Sequence, residues 1–161
     1  MNAQRTTAAL GAALIALVLC GFDVFENAHS PDDACKLLTQ AQVAAALATP
    51  MDAGKRVLSS SPRMCGWSEP GGATIENKRV TLTLSTTKTH DAGKQPYQGI
   101  TKTSVSGIGD DAYYVTASGL GTALDVKKGA EAFSISVKGK FTIDQVKAME
   151  KTLALEVLAK L

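Results

Sequence analysis

The chain has 161 residues, of which 45% are hydrophobic, 5% aromatic and 20% charged. This length suits one ordinary domain and is too short for two substantial cores. The formal net charge is +2, and Arg5 is the only charged side chain in the first twenty residues, so the rest of the chain is almost neutral. A nearly neutral body excludes the basic footprint of a nucleic-acid-binding domain, and the low aromatic content predicts an aliphatic core.

Residues 1–20 have the pattern of an export signal. Arg5 and the amino terminus supply positive charge, and an apolar run follows over residues 8–19. This run has the length of a signal-peptide core and is shorter than the roughly 20 residues that cross a bilayer. We predict a signal peptide at 1–20, with a short uncleaved membrane anchor as the alternative. The chain is then exported to the periplasmic or cell-surface side of a bacterial membrane.

The end of the apolar run resembles a bacterial lipobox, Leu17-Val18-Leu19-Cys20-Gly21. Leu19 departs from that pattern because Gly, Ala or Ser is usual there. The resemblance implies acylation of Cys20 and a lipid anchor in the membrane. Cleavage beside Cys20 or Gly21 by the ordinary signal peptidase is the alternative. Residues 21–33 are mostly polar and lack periodicity, so we predict a flexible tether.

Two further cysteines, Cys35 and Cys65, lie in the exported part of the chain. An oxidising compartment favours a disulfide between them. Their spacing is far from the C-x-x-C pattern of redox motifs. We therefore predict a structural cross-link between Cys35 and Cys65.

Two segments carry the residues of a capped helix start. Thr39 is followed by Gln42, and Thr142 by Gln145, which is the spacing of a capping box. The first helix should end near Leu47. The second should be long, with an apolar stripe at helical spacing and an exposed ion pair near its end. The stripe is Val146, Met149, Leu153 and Val157, and the pair is Glu156 and Lys160.

Between these helices, alternating apolar and polar residues predict strands. They fall at about 56–60, 64–69, 80–85, 111–115, 124–127 and 133–138, and the last three form a meander. Residues 88–104 are polar and read as a loop with a short helix. The prediction is an α+β fold in a single domain over 34–161. An antiparallel sheet of about five or six strands is packed by a short N-terminal and a long C-terminal helix.

The residue types that support catalysis or metal binding are sparse. The two histidines are His29, in the tether, and His90, while both body cysteines are assigned to the disulfide. Zinc needs about three or four protein ligands, and no Gly-x-Ser-x-Gly motif is present. Asp110 and Asp111 fit turn chemistry beside Gly109. We predict no metal site, no cofactor and no catalytic residue.

Aromatic residues are the remaining candidates for a binding site. Trp67 and Tyr113 are the candidate ligand-facing residues, and their alternative role is in the core. The core role is favoured for one or two of the aromatic residues, because a chain with so few of them uses them readily for packing.

Four features in order carry a resemblance to a family of small bacterial envelope lipoproteins of unknown function, abundant in actinobacteria. They are the lipobox-like segment, Asp33-Ala34-Cys35-Lys36-Leu37-Leu38-Thr39, Cys65-Gly66-Trp67 and Gly107-Ile108-Gly109-Asp110-Asp111-Ala112-Tyr113, followed by the C-terminal helix. That family resembles PsbP-like sandwiches and the sensor domains of some bacterial membrane kinases. The resemblance implies a similar fold and carries no catalytic residues.

The sequence therefore favours a non-catalytic envelope lipoprotein, a binding or interaction module whose partner is an envelope protein or a small ligand. The alternative is an envelope enzyme or enzyme inhibitor that uses surface carboxylates. Convergence of Asp91, Asp110 and Asp111 in a cleft favours that alternative. A third reading is purely structural anchoring of an envelope complex, for which an exposed apolar patch is the signature.

Overall fold

The computed structural model describes residues 32–71 and 77–161. The predicted signal peptide, Cys20, His29 and most of the predicted tether lie outside these ranges. The described helices are a 3₁₀ helix, Ala34–Lys36, followed by α1 (Gln40–Leu47), α2 (Thr87–Gly93) and α3 (Ile143–Leu158). The described strands are β1 (Lys55–Leu58), β2 (Ser61–Ser68), β3 (Arg79–Thr86), β4 (Ile100–Val105), β5 (Asp111–Ala117), β6 (Gly121–Lys128) and β7 (Glu131–Lys138).

The seven described strands form one antiparallel sheet in the order β1-β2-β3-β7-β6-β5-β4. The predicted α+β class, the antiparallel sheet and the two flanking helices are confirmed. The sheet has one strand more than the upper end of the predicted five or six, because β4 adds an edge. The last strand, β7, lies in the middle of the sheet between β3 and β6.

The register separates an apolar face of the sheet from a polar one. Leu82 of β3 lies opposite Ile135 of β7, which lies opposite Leu124 of β6, and all three are fully buried. One residue along, Thr83, Ser134 and Asp125 occupy equivalent positions and point to the other side. Since strand side chains alternate, one face builds the core and the other is lined by polar groups.

Helix α3 covers the apolar face. It packs on β6 and β7, and α1 packs on α3 in turn. Both helix starts have the predicted capping box: Thr39 with Gln42 opens α1, and Thr142 with Gln145 opens α3. The helices are thus fixed by local hydrogen bonds at their first turns and by apolar packing along their lengths.

The predicted disulfide is present, with a Cα–Cα distance of 5.1 Å between Cys35 and Cys65. It ties the 3₁₀ helix to β2. Asp33, the last residue of the predicted tether, is the N-cap of the 3₁₀ helix: its carboxylate accepts a hydrogen bond from the Cys35 amide and pairs with Arg56 at 2.7 Å.

The described hydrophobic core lies entirely between Ala34 and Val157. A chain that begins after the predicted signal therefore contains that whole core. Within the described ranges, the structure contains no helix both long and apolar enough to cross a membrane.

Two local expectations are corrected. Glu156 and Lys160 do not pair with each other: Glu156 accepts a hydrogen bond from Gln42 of α1 at 2.5 Å, and Lys160 donates to the Lys36 carbonyl. Each side chain bonds instead to a neighbouring element, Glu156 to α1 and Lys160 to the 3₁₀ helix. The segment 88–104, predicted as a loop with a short helix, contains most of α2, with Thr86 as the N-cap, which agrees with the predicted helix. It also contains most of β4, which the sequence did not predict.

Candidate functional site

Helix α2 lies against the polar face and delivers a buried histidine to it. His90 is 2% exposed, and its ring lies 4.9 Å from the ring of Tyr113 on β5. The Tyr113 hydroxyl donates to the His90 carbonyl at 2.8 Å. Because Tyr113 supports both the ring and the backbone of residue 90, the position of His90 is fixed by β5.

Asp111, at the start of β5, holds the other side of this histidine. The His90 Nε2 atom lies 3.1 Å from the Asp111 Oδ2 atom, and the Lys94 ammonium contacts the same oxygen. The ammonium lowers the pKa of the Asp111 carboxyl below its ordinary value of 3.8. Because an ionised carboxylate only accepts hydrogen bonds, Nε2 carries the imidazole proton.

Asp91 completes a polar cluster on α2. The ligating atoms of His90, Asp91 and Asp111 all lie within 4.8 Å of one another. Asp91 pairs with Lys127 of β6 at 2.8 Å, which lowers the pKa of its carboxyl. Two of the three aspartates singled out from the sequence thus converge. Asp110 does not join them, because it accepts from the Gly129 amide and the Lys128 ammonium at the β6–β7 turn.

The chemistry open to this cluster is limited by its lysines. A divalent ion at His90, Asp91 and Asp111 would compete with the Lys94 ammonium, which contacts Asp111, and with the Lys127 ammonium, which pairs with Asp91. General-base catalysis needs an imidazole nitrogen within reach of a substrate. The Nε2 atom is already bonded, and the buried Nδ1 atom has no partner among the described residues. The geometry fits a network that fastens α2 to the sheet.

Two other acidic groups on the polar face have raised pKa values. Burial raises the pKa of Asp125 on β6 to about 6, and burial raises the pKa of the Tyr113 phenol to about 12. Both side chains lie beside the His90 cluster, since Tyr113 and Asp125 are paired across β5 and β6. The cluster is therefore partly shielded from solvent.

The structure buries both candidate ligand-facing aromatic residues. Trp67 lies in the core on the apolar face, where an added Cβ at Gly54 would approach its ring to 2.6 Å. Tyr113 packs under α2, where an added Cβ at Gly93 would approach its hydroxyl to 2.4 Å. Their burial gives both residues packing roles, and ligand contact by either stays a prediction.

A second acidic residue is buried on the apolar face, in α3. Glu150 is 0% exposed, and its Oε1 atom accepts a hydrogen bond from the Val137 amide of β7 at 3.1 Å. The other oxygen, Oε2, has no partner among the described residues. Burial raises the pKa of Glu150 to about 8. The carboxyl therefore links α3 to β7. The pairing of β7 with β6 extends only as far as Ile135, opposite Leu124, so the Val137 amide lies beyond that pairing.

One turn before Glu150, an open cleft lies at the end of the sheet. It has a volume of about 440 Å³ and sits among the β5–β6 hairpin, the end of β7 and the start of α3. Val137 and Val146 line it as buried residues, Phe141 is half-buried, and Leu120 and Ile143 are 73% and 42% exposed. The cleft thus has an apolar floor and an exposed apolar rim.

The charged residues that line this cleft are both cations. They are Arg79, at the start of β3, and Lys138, at the end of β7, and the lining contains no carboxylate. Lys138 donates to the Leu120 carbonyl at the hairpin tip, and neither cation has an ion pair within the described ranges. Lys78 lies close by, with its ammonium 5.6 Å from the Phe141 ring centroid, but it is paired with the Glu69 carboxylate at 3.7 Å.

The sequence reading missed both Glu150 and the cleft. Glu150 could have been found, because it lies four residues after Val146 on the predicted apolar stripe of α3. The cleft could not, because it joins residues from three separated segments whose proximity depends on the order of β3, β7 and β6.

Comparison of the chain with models of known protein families, with curated proteins and with solved structures found no match in any of the three.

Proposed function

We propose that this protein is an exported, non-catalytic binding module that binds an anionic amphiphile in the cleft between the β5–β6 hairpin and the start of α3. The observation that carries the proposal is the combination of an apolar floor, Val137 and Val146, with two cations, Arg79 and Lys138, that have no ion pair among the described residues. An acyl chain would lie on the floor, and an anionic headgroup would meet the cations.

Two further features support the proposal. The Cys35–Cys65 disulfide is the kind of cross-link that persists in an oxidising compartment, and the first twenty residues read as an export signal. In the His90 cluster, the Asp111 carboxylate contacts His90 and Lys94, and the Asp91 carboxylate pairs with Lys127. Because these groups are already engaged with one another, the cluster favours a structural role over catalysis. On this proposal, acylation of Cys20 holds the module at the membrane.

The test is calorimetric titration of the chain from residue 21 onward with dodecyl phosphate, below its micelle threshold. We expect saturable binding of one amphiphile per chain. Reversing the charge of Arg79 with Arg79→Glu should weaken the affinity roughly tenfold, which corresponds to about 1.4 kcal/mol.

Two controls define the outcome. Lys88→Glu changes the net charge by the same amount in the first turn of α2, beyond the opposite end of β3, and it should leave the affinity unchanged. Dodecyl maltoside has the same chain without the anionic group and should bind far more weakly. Absence of saturable binding, or equal loss in the Arg79 and Lys88 variants, contradicts the proposal.

A further inference from the structure

We infer that the cleft end of the domain docks on an anionic lipid surface, with Leu120 and Ile143 entering the interface and the surrounding cations meeting the headgroups. This inference rests on the proposed function, because it uses the same cleft, and it names the ligand as lipid presented by a membrane.

The shape of the β5–β6 hairpin is the first argument. Leu120 sits at its tip between Gly119 and Gly121, both with positive φ, and it is 73% exposed. Leu120 is not part of the described hydrophobic core, so its apolar side chain is available for an interface. Ile143, at the start of α3, lines the same cleft and is 42% exposed. Two exposed apolar side chains on one end of the domain form an interfacial wedge.

Charge complementarity is the second argument. Arg79 and Lys138 line the cleft beside this wedge, and neither has an ion pair among the described residues. Clustered lysine and arginine residues next to exposed apolar ones are the pattern that binds anionic membrane surfaces. The Lys138 ammonium donates to the Leu120 carbonyl, which keeps this positive charge next to the hairpin tip.

The predicted anchor is compatible with this orientation. Asp33, the N-cap of the 3₁₀ helix, lies thirteen positions after Cys20. At a maximum of about 3.5 Å per position, thirteen steps along the chain can span about 45 Å, so an anchored domain can turn its cleft end to the bilayer. Anchoring and docking together supply the two signals that stable membrane attachment needs.

The experiment is vesicle co-sedimentation of the chain from residue 21 onward, which contains the complete described core and no acyl chain. Vesicles of phosphatidylcholine alone are compared with vesicles that contain phosphatidylglycerol. We expect binding to the anionic vesicles only, and weaker binding as salt rises. Removal of one cation, by Arg79→Gln or Lys138→Gln, should lower the partition coefficient about fivefold.

Matched variants distinguish docking through the cleft end from a general effect of positive charge or of exposed apolar side chains. Leu120→Ser should also lower the partition coefficient several-fold. Leu58→Ser changes another exposed leucine, which is 56% exposed beside the β1–β2 turn at the opposite end of the sheet, and should have no effect. Lys88→Gln is the corresponding control for the cations. Equal effects of the cleft and control variants, or equal binding to both kinds of vesicle, overturn the inference.

The remaining outcomes distinguish this inference from the proposed function. Binding of monomeric dodecyl phosphate without vesicle binding overturns membrane docking and leaves the cleft as a site for a free amphiphile. Failure of both overturns both. Concentration-dependent dimerisation that Leu120→Ser abolishes, without vesicle binding, assigns this end of the domain to a second copy of the chain and also overturns the inference.

Discussion

The Glu150 carboxyl group accepts a hydrogen bond from the Val137 amide at 3.1 Å, in the core and directly behind the cleft. Val137 lines the cleft on β7, and Val146, one turn before Glu150 on α3, lines it from the helix. This single hydrogen bond therefore joins the two elements that form the cleft floor.

The pairing of Glu150 with Val137 makes stability depend on pH. Burial raises the pKa of Glu150 from 4.5 to about 8, so the folded state binds its proton more tightly than the unfolded chain does. The stabilisation from this proton is complete below pH 4.5, falls between pH 4.5 and about 8, and is lost above that range. Within that window, the contribution to the free energy of unfolding falls by about 1.4 kcal/mol per pH unit.

Glu150→Gln keeps the shape of the side chain and removes its titration. Compared with the wild type in urea unfolding, the variant should be similar near pH 4.5 and clearly more stable at pH 8. Glu156→Gln changes a partly exposed residue of the same helix and should keep the wild-type pH profile. A Glu150→Gln variant whose stability relative to wild type does not change with pH contradicts the assigned proton.

The Cys35–Cys65 disulfide should contribute a large part of the stability. It closes a loop with a sequence separation of 30, for which chain entropy gives about 3–4 kcal/mol. The variant Cys35→Ala/Cys65→Ala should lose that amount in denaturant titration, and reductant should destabilise the wild type similarly. Reductant should not affect the double variant. A loss below about 1 kcal/mol contradicts a major role for the cross-link.

Gly93 and Tyr113 should show strong coupling. Gly93→Ala places a Cβ about 2.4 Å from the Tyr113 hydroxyl and 3.7 Å from its ring carbon, so only the hydroxyl obstructs it. We expect Gly93→Ala to cost about 1–3 kcal/mol. Tyr113→Phe should cost about 1 kcal/mol, because the His90 carbonyl loses its donor.

In the double variant, the Gly93→Ala penalty should almost disappear, so the combined loss should fall short of the sum. Denaturant unfolding of the four proteins of this cycle measures the coupling. Additive losses would show that α2 moves away from β5, and they would contradict the fixed position of His90.

Processing at Cys20 is tested by the intact mass of the protein isolated from membranes of its host. The lipobox-like segment predicts a chain that begins at Cys20 and carries added acyl mass. Cys20→Ser should abolish that mass. An unmodified chain that begins after Cys20 contradicts the lipid anchor and leaves the domain itself unaffected.

Elements defined by short-range chemistry were predictable from the sequence. The starts of α1 and α3 follow from Thr39 and Thr142, each with a glutamine three residues later, and the disulfide follows from the export context of Cys35 and Cys65. Strands with one buried and one polar face, such as β3 and β7, show clear alternation. In each case the local pattern and the final packing agree.

Features that depend on distant segments were not predictable. Strand β4 is an edge strand, and only Ile100, Lys102 and Val105 are even partly buried, so it lacks the alternation that marks β3. The central position of β7 is set by pairing with β3, far away in sequence. The cleft and the His90 cluster exist only after these pairings form, because each joins residues from separated segments.

The central claim is that the cleft between the β5–β6 hairpin and the start of α3 is the binding site. The most direct measurement is an amide chemical-shift map of the ¹⁵N-labelled chain during titration with dodecyl phosphate. The account predicts saturable shifts at the hairpin, around Leu120, and along the connection from Val137 to Val146. Shifts confined to α2 and the His90 cluster, or no saturable shifts at all, would contradict it.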